Sequence, residues 1–537
     1  MKFLFLFALF LLVELSFQRS TPEDDHYVAA VVEFLVNRNG NNLAEYEALI
    51  KEAAEANADI VVFPELTLTD RSTSFAVPIH GLLKQYPIPA LRPDLYHELL
   101  VALSTAARQY SIYVVINSQE VMDCSQPLEG GNCSENKVYF FNTNVVFDRT
   151  GAVIDRYRKI NLFGEAGRTP ALNPDLGVFT TDFGVTFGHF VCFDLMFQVP
   201  AIQVVQKNNI KDVVFTTMWF SEMPYLTAVQ IQEAYAYTMD INFLASGANN
   251  VGVGSAGSGI FSGKAGALIS VMPGKPTTKL LVAKVPKAPG LVTESYPGPI
   301  YDPPTDHDSL VLIQDPSVAA HVTRPLVEGL QEFTLVDKDV TCTFRVRLSP
   351  GNNTLVEYRA LAYDGTHTYL RRELGIATCL LVACKPDNAS SCPYRFSKSE
   401  ELLIEELEID MTTYSKQYND TLNCDSIEYF PVSFRNNKFP IRPKNFTFTS
   451  KLNNEIEPET CDNDNEKILS AFQKEIKSVN AKENLTYKIN TPQNDLVAFG
   501  IWGRVYNRDI DHGKGLEATQ EDIDNFNKFL DRIYSAA

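Results

Sequence analysis

Val28-Ala-Ala-Val-Val-Glu-Phe-Leu35, the segment Asn42–Ala56 and Ile60-Val-Val-Phe-Pro-Glu65 together decide the class of fold. The first and last pieces are short apolar runs suited to buried strands. The middle one places Leu43, Tyr46, Ile50, Ala53 and Ala54 on one helical stripe, so the unit reads strand–helix–strand. Pro64 has no N–H to give a ladder and ends the second strand, which leaves Glu65 where the chain exits the core.

Outward from this unit the alternation continues to about residue 290. Leu95–Ala107 reads as a helix and Ile112–Ile116 as a strand. Tyr139–Phe147 and Ala152–Tyr157, joined by Asp148-Arg-Thr-Gly151, read as a hairpin. Val185–Phe193, Val213–Thr216, Asn242–Ser246, Gly266–Val271 and Lys279–Val285 read as strands, with helices at Ala201–Lys207 and Thr227–Met239. Strands alternating with helices argue for α/β architecture, and the hairpins make the sheets mixed. Prolines 286, 289, 297, 299, 303 and 304 mark a linker at 291–308. Beyond it, Leu310–Ile313, Cys342–Leu348, Ala377–Cys384 and Val497–Ile501 are strand-like runs between Asn- and Ser-rich turns. The division expected is a leader at 1–20, an α/β domain at 25–290 and a β-rich domain at 309–537.

The leader is Phe3–Val13, eleven apolar residues behind Lys2, too short for the roughly 20 that span a bilayer. It reads as a secretory signal peptide cut between Ser16 and Ser20. Six N-x-S/T triplets, at Asn132, Asn352, Asn388, Asn419, Asn445 and Asn484, suit glycosylation of an exported chain. The C-terminal stretch Phe529–Ala537 is amphipathic, so no stable membrane anchor is expected there. With 47 Lys+Arg against 66 Asp+Glu the formal charge is −19, which repels a phosphate backbone and argues against nucleic-acid binding.

Nine cysteines cannot all pair within one chain in an oxidising compartment. Cys124 and Cys133 flank a Gly-Gly loop and could staple it. Cys342, Cys379, Cys384, Cys392, Cys424 and Cys461 fall in the last 200 residues, with connectivity open. Cys192 stands alone in an apolar segment, as either a buried structural thiol or a reactive one.

Two patterns lead nowhere. Gly252-Val-Gly-Ser-Ala-Gly257 matches a dinucleotide fingerprint, but no helix opens after it to receive a pyrophosphate. His189 and Cys192, three apart on a strand, point to opposite faces and make a poor dyad. No paired metal-ligand spacing is present, so neither a metal nor a cofactor is expected.

Glu65, Lys159 and Cys192 remain, each at a strand end. Singly they read as a surface acid, a solvated base and a core thiol. In order, Phe63-Pro64-Glu65, Arg158-Lys159-x-x-Leu162-Phe163 and Cys192-Phe193-Asp194 resemble the Glu–Lys–Cys triad of the nitrilase superfamily of carbon–nitrogen hydrolases. Ala248-Asn-Asn250 and Gly257-Ser-Gly-Ile-Phe261 are similar to its late strand-and-loop pattern. The leader, the triplets and the Cys-rich second half narrow the resemblance to the vanin/biotinidase branch.

That resemblance implies a nitrilase-like α-β-β-α sandwich followed by a β-rich, disulfide-containing domain. It implies that Cys192 is the nucleophile, Glu65 the proton acceptor, and Lys159 with the Phe193 backbone N–H the oxyanion stabilisers. Glu165, six residues after Lys159, matches a second acid of the family. Glu65 is expected to have its pKa raised toward neutrality by desolvation. Asp194 is expected to be structural, and Trp219 either lines the acyl pocket or packs in the core. The activity implied is that of a secreted, monomeric amidohydrolase acting on a small amide. Pantetheine is the first choice, a biotin amide the second, and a non-catalytic binding glycoprotein the alternative from another class.

Overall fold

The computed structural model describes residues 19–511 apart from 38–40, 71, 126–132, 134–136, 166, 172–173, 303–307, 351–355, 370–371, 397–401, 415–426 and 453–481. Residues 1–18 of the leader, the triplets at Asn132, Asn352 and Asn419, and Cys424 and Cys461 lie outside the described residues.

Strand–helix–strand is how the chain begins: β1 (His26–Leu35), α1 (Leu43–Glu55) and β2 (Ile60–Val62). Then come α2 (Glu98–Tyr110), β3 (Tyr113–Asp123), β4 (Val138–Phe147) and β5 (Val153–Arg158). Next are β6 (Val178–Thr180), β7 (Thr186–Val191), β8 (Asp212–Thr217), the short β9 (Glu222–Met223) and α3 (Ala228–Met239). β10 (Asn242–Asn249), β11 (Ser258–Ser262), β12 (Gly266–Val271), β13 (Lys279–Pro286) and β14 (Gly298–Ile300) complete this half. The last of these lies within the Pro-rich stretch and pairs in parallel with β12.

These strands form two sheets, β13-β1-β2-β3-β4-β5 and β6-β7-β8-β10-β11-β12-β14, joined where Phe34 and Leu35 pair with Ala248 and Asn249. Period-2 alternation assigns each side chain to a layer. From β1, Ala30, Val32 and Phe34 meet α1 and α2 in one apolar cluster, while Tyr27, Ala29 and Val31 face the other sheet in a second. From β10, Leu244 joins that inter-sheet cluster, whereas Phe243 and Ala245 pack with α3 in a third. The layer order is therefore α, β, β, α, as the resemblance implied.

The helix boundaries follow local chemistry. α1 buries Tyr46, Leu49, Ile50, Ala53 and Ala54, a stripe at i, i+3, i+4, i+7 and i+8. α2 starts three residues later than the sequence reading, where His97 Nδ1 accepts the Leu99 N–H, and runs on to a left-handed Ser111. The expected helix at Ala201–Lys207 is instead a wide turn over Gln198–Ile202 followed by a single α turn at Gln203–Gln206. Pro200 in that turn cannot donate to an α ladder.

The second half opens with β15 (Ile313–Gln314), paired in parallel with β9, and β16 (Val322–Pro325). β17 (Gly329–Asp337), β18 (Val340–Leu348), β19 (Glu357–Tyr369), β20 (Arg372–Cys384) and β21 (Ile404–Tyr414) follow. β22 (Ile427–Arg435), β23 (Phe446–Leu452), β24 (Lys482–Ile489), β25 (Leu496–Val505) and β26 (Ile510–Asp511) end the described chain. They make two antiparallel sheets, β16-β19-β20-β25-β22 with β26 on β20, and β17-β18-β21-β24-β23. The disulfide Cys342–Cys379 ties β18 of one sheet to β20 of the other, while Cys384–Cys392 and Cys124–Cys133 close short loops. Among the described residues Cys192 alone is a free thiol.

β22 is buried along almost its whole length, on both faces, because α3 of the first half packs against it, and β25 beside it is buried throughout. For the same reason α3 is buried nearly all round rather than along one stripe. Of the remaining triplets, Asn388 and Asn484 are exposed and Asn445 is half-buried. Among the described residues no helix is long and apolar enough to cross a membrane.

Candidate active site

Three strand ends of the first half converge. After β2, Phe63-Pro64 carries the chain out of the sheet, and the Leu66 N–H, in a left-handed turn, is taken by Asn117 Oδ1 on β3 at 2.9 Å. This holds Glu65 pointing inward, 4% exposed. Lys159 follows β5 directly and is 1% exposed. Its backbone N–H is bonded to Asn142 O at 2.8 Å, as an extension of the β4–β5 ladder.

Cys192 begins a 3-10 turn over Cys192–Met196, so β7 stops at Val191, short of the strand end read from the sequence. The cause is Asp194. One of its oxygens accepts from the Tyr157 hydroxyl (2.7 Å) and the Val191 N–H (3.1 Å), the other from the Asn161 N–H (2.8 Å) and Nδ2 (3.0 Å). A fully buried carboxylate with four donors locks the turn. Cys192 is left at φ +49°, an uncommon conformation for a non-glycine residue, and presents its thiol at the mouth of the fold. His189 faces the other way, with Nε2 2.8 Å from Asp155.

Glu65, Lys159 and Glu165 form one buried charge cluster. Lys159 Nζ donates to Glu65 Oε1 at 2.9 Å and to Glu165 Oε1 at 2.6 Å, leaving one of an ammonium's three donors for a third partner. Glu65 Oε2 accepts the Met218 N–H at 2.8 Å, and the Cys192 thiol lies 3.6 Å from Met218 O. Asn142 Nδ2 reaches Glu65 (2.7 Å) and Glu165 (3.3 Å) together. Sequence reasoning missed this asparagine. The signal was present in Asn142-Thr-Asn144, two amides at i and i+2 inside the apolar β4, aligned with Asn117 on β3 by hydrogen bonds of 2.8 and 2.9 Å.

The charge states follow from this arrangement. Burial alone would strip Lys159 of its proton, but Glu165 and Glu65 hold it well above the usual lysine range. Burial pushes the Cys192 thiol up, Glu65 adds to the effect, and Lys159 offsets only part of it. For Glu65 the expectation from sequence is corrected. Burial does act to raise its carboxyl, yet Lys159, the Cys192 thiol and Asn142 together outweigh it and hold it below the usual glutamate range. The resting site is thus carboxylate, ammonium and neutral thiol. Because the depressed carboxyl stays ionised through the ordinary glutamate range, any acid limb that Glu65 imposes on kcat/KM lies on the acid side of that range. Glu65→Gln is expected to lower kcat by about 10²–10⁴-fold and to abolish that limb. A pH–rate profile of the two proteins measures both effects, and a Glu65→Gln variant retaining wild-type kcat would exclude Glu65 as the base.

An aromatic cleft opens over the thiol, walled by Phe163, Phe193, Trp219 and Phe220. Trp219 Nε1 is spent on Leu226 O at 2.7 Å, so this residue both lines the cleft and packs into the core. One wall comes from the second half, where Tyr369 at the end of β19 meets Phe193 edge-on at 5.6 Å. Arg504 of β25 donates at 3.0 Å to Met196 O in the turn that Cys192 begins. Neither contribution was legible in the sequence. Among the described residues one group has the donors to hold a metal: Glu222, Asp315 and His367, with donor atoms within 4.8 Å of one another. They already engage each other and Tyr369.

Residues 36–286 match the carbon–nitrogen hydrolase family and residues 311–509 the vanin C-terminal domain family. A Drosophila melanogaster protein named vanin-like protein 1 is 32% identical over 96% of this chain and 92% of its own length. The chain belongs to the nitrilase superfamily, in its vanin/biotinidase branch. A biotinidase of Takifugu rubripes is 29% identical over 71% of this chain and 83% of its own, and a human pantetheine hydrolase 28% identical over 68% and 75%. This vanin-family chain is a carbon–nitrogen hydrolase.

Proposed function

We propose that this hydrolase cleaves pantetheine to pantothenate and cysteamine through a thioester on Cys192. The observation that carries the reading is the contact of Lys159 with Glu65 at 2.9 Å beside a neutral thiol. As Cys192 Sγ attacks the amide carbonyl, its proton passes to the Glu65 carboxylate. The negative charge moves from Glu65 to the oxyanion, where the third Lys159 donor and the Phe193 N–H receive it; an oxyanion donor contributes about 3–4 kcal/mol. The cluster therefore never carries two new charges at once, which is why the thiol can rest protonated. Collapse expels the amine with the proton from Glu65, and Glu65 then takes a proton from the water that releases the acid. Glu165 and Asn142 keep Lys159 and Glu65 in register.

A biotin amide is the second reading, supported by the biotinidase relative, which like the pantetheine hydrolase extends beyond the first domain of this chain. Equal concentrations of pantetheine and biocytin offered to the purified protein decide between them. Release of cysteamine in excess of lysine is expected, and turnover of biocytin alone overturns the first choice. The chain works outside the cell in this reading. The leader and the pairs Cys124–Cys133, Cys342–Cys379 and Cys384–Cys392 support an oxidising compartment.

A further inference from the structure

The cleft over Cys192 is almost wholly apolar. Its phenylalanine walls offer no hydrogen bond, and the Trp219 N–H is already taken. Apart from the thiol, two of its lining side chains have polar atoms to offer, Glu222 from β9 and Tyr369 from β19. The Tyr369 hydroxyl donates to Glu222 Oε2 at 2.7 Å. Glu222 Oε1 has no hydrogen-bond partner among the described residues, its nearest cation being His367 Nε2 at 3.6 Å. Its side chain keeps 10% of its surface open to solvent.

Both groups are held rigidly. Glu222 exchanges backbone hydrogen bonds with Leu226 (3.1 and 2.9 Å) and pairs with Ile313 of β15. The Tyr369 ring stacks on His367 at 4.0 Å, and His367 Nδ1 is fixed by Asp315 at 2.8 Å. The ring also meets Phe193, the second residue of the turn that Cys192 begins. A pair built from both domains and lining an aromatic slot is the arrangement by which pockets set orientation and specificity.

We propose that Glu222 and Tyr369 read the acyl part of the substrate, the Glu222 oxygen not bonded to Tyr369 accepting a hydroxyl or N–H of a neutral acyl group bound between the aromatic walls. The proposal rests on the amidohydrolase reading above and deepens it. An apolar acyl group would cover that oxygen without giving it a hydrogen bond, which costs affinity. The second domain is then a specificity element and not only a support.

The test uses the full chain carrying Cys192→Ala, so that binding is measured without turnover. Calorimetric titrations with pantetheine, with biocytin and with N-(2-mercaptoethyl)hexanamide are compared before and after adding Tyr369→Phe or Glu222→Gln. Each addition is expected to weaken pantetheine and biocytin about tenfold and the hexanamide less than about threefold, the scale of one hydrogen bond. Tyr369→Phe keeps the ring and its stacking, so it reads the hydroxyl alone even if Glu222→Gln disturbs His367. Equal losses for all three ligands, or no loss for any, overturn the proposal. A Cys192→Ala parent that binds neither pantetheine nor biocytin defeats the functional reading and this proposal with it. A parent that binds them while the variants do not discriminate defeats this proposal alone.

Discussion

Cys192→Ala is expected to abolish amide hydrolysis, with kcat falling about 10⁴–10⁶-fold, the scale seen when a covalent nucleophile is removed. The fold tolerates the change. Cys192 is 6% exposed, and the 3-10 turn that presents it is held by Asp194, Tyr157 and Asn161 rather than by the thiol. Thermal unfolding should therefore shift by only a few degrees, the scale of about 1 kcal/mol. Acid-quenched wild-type protein incubated with substrate should carry the acyl mass on Cys192, and the alanine variant none. Turnover by the Cys192→Ala protein above about one hundredth of wild type, far over what a lost nucleophile permits, would refute a covalent route through this residue.

Lys159→Met has the second large effect, and it acts on stability and on rate through different partners. Without the ammonium, Glu65 and Glu165 share the Asn142 amide as two uncompensated buried carboxylates. Breaking a buried ion pair by removing one partner costs about 3–5 kcal/mol. The cost should shrink as the pH falls, because burial, no longer opposed by the ammonium, raises the Glu65 carboxyl and lets it regain a proton in the folded state. Adding Glu165→Gln to Lys159→Met removes one of the two charges and should recover a substantial part of the loss in a denaturant titration. Activity should stay about 10²–10³-fold down in both proteins, since the oxyanion has lost its cation. Recovery of kcat together with stability in the double variant would show that Lys159 is structural and not an oxyanion donor.

Much of the first half was legible because its strands and helices are locally periodic. β1, β2 and α1 each carry enough apolar residues on a repeating face to be recognised from a dozen neighbours. Where a boundary was misread, a side chain distant in sequence had set it. The end of β7 depends on Asp194 meeting Tyr157 and Asn161, 37 and 33 residues earlier in the chain. α3 reads as a helix, yet its burial on every side required a second domain that its own sequence does not announce.

The sequence by itself determined which residues are the candidates for the chemistry. Proline, chain exit and residue type put Glu65, Lys159 and Cys192 at strand ends, and their order marks the superfamily. Tertiary structure alone decided their charge. The Glu65 carboxyl responds to Lys159, 94 residues away in sequence, and to the Cys192 thiol, and their combined pull outweighs the desolvation that the local run of apolar residues suggests. It also decided that Tyr369, from the other half of the molecule, walls the cleft. Periodicity is a property of neighbours along the chain, whereas a pKa and a pocket wall depend on which charges and surfaces lie within a few ångströms in space, and only the fold sets those distances.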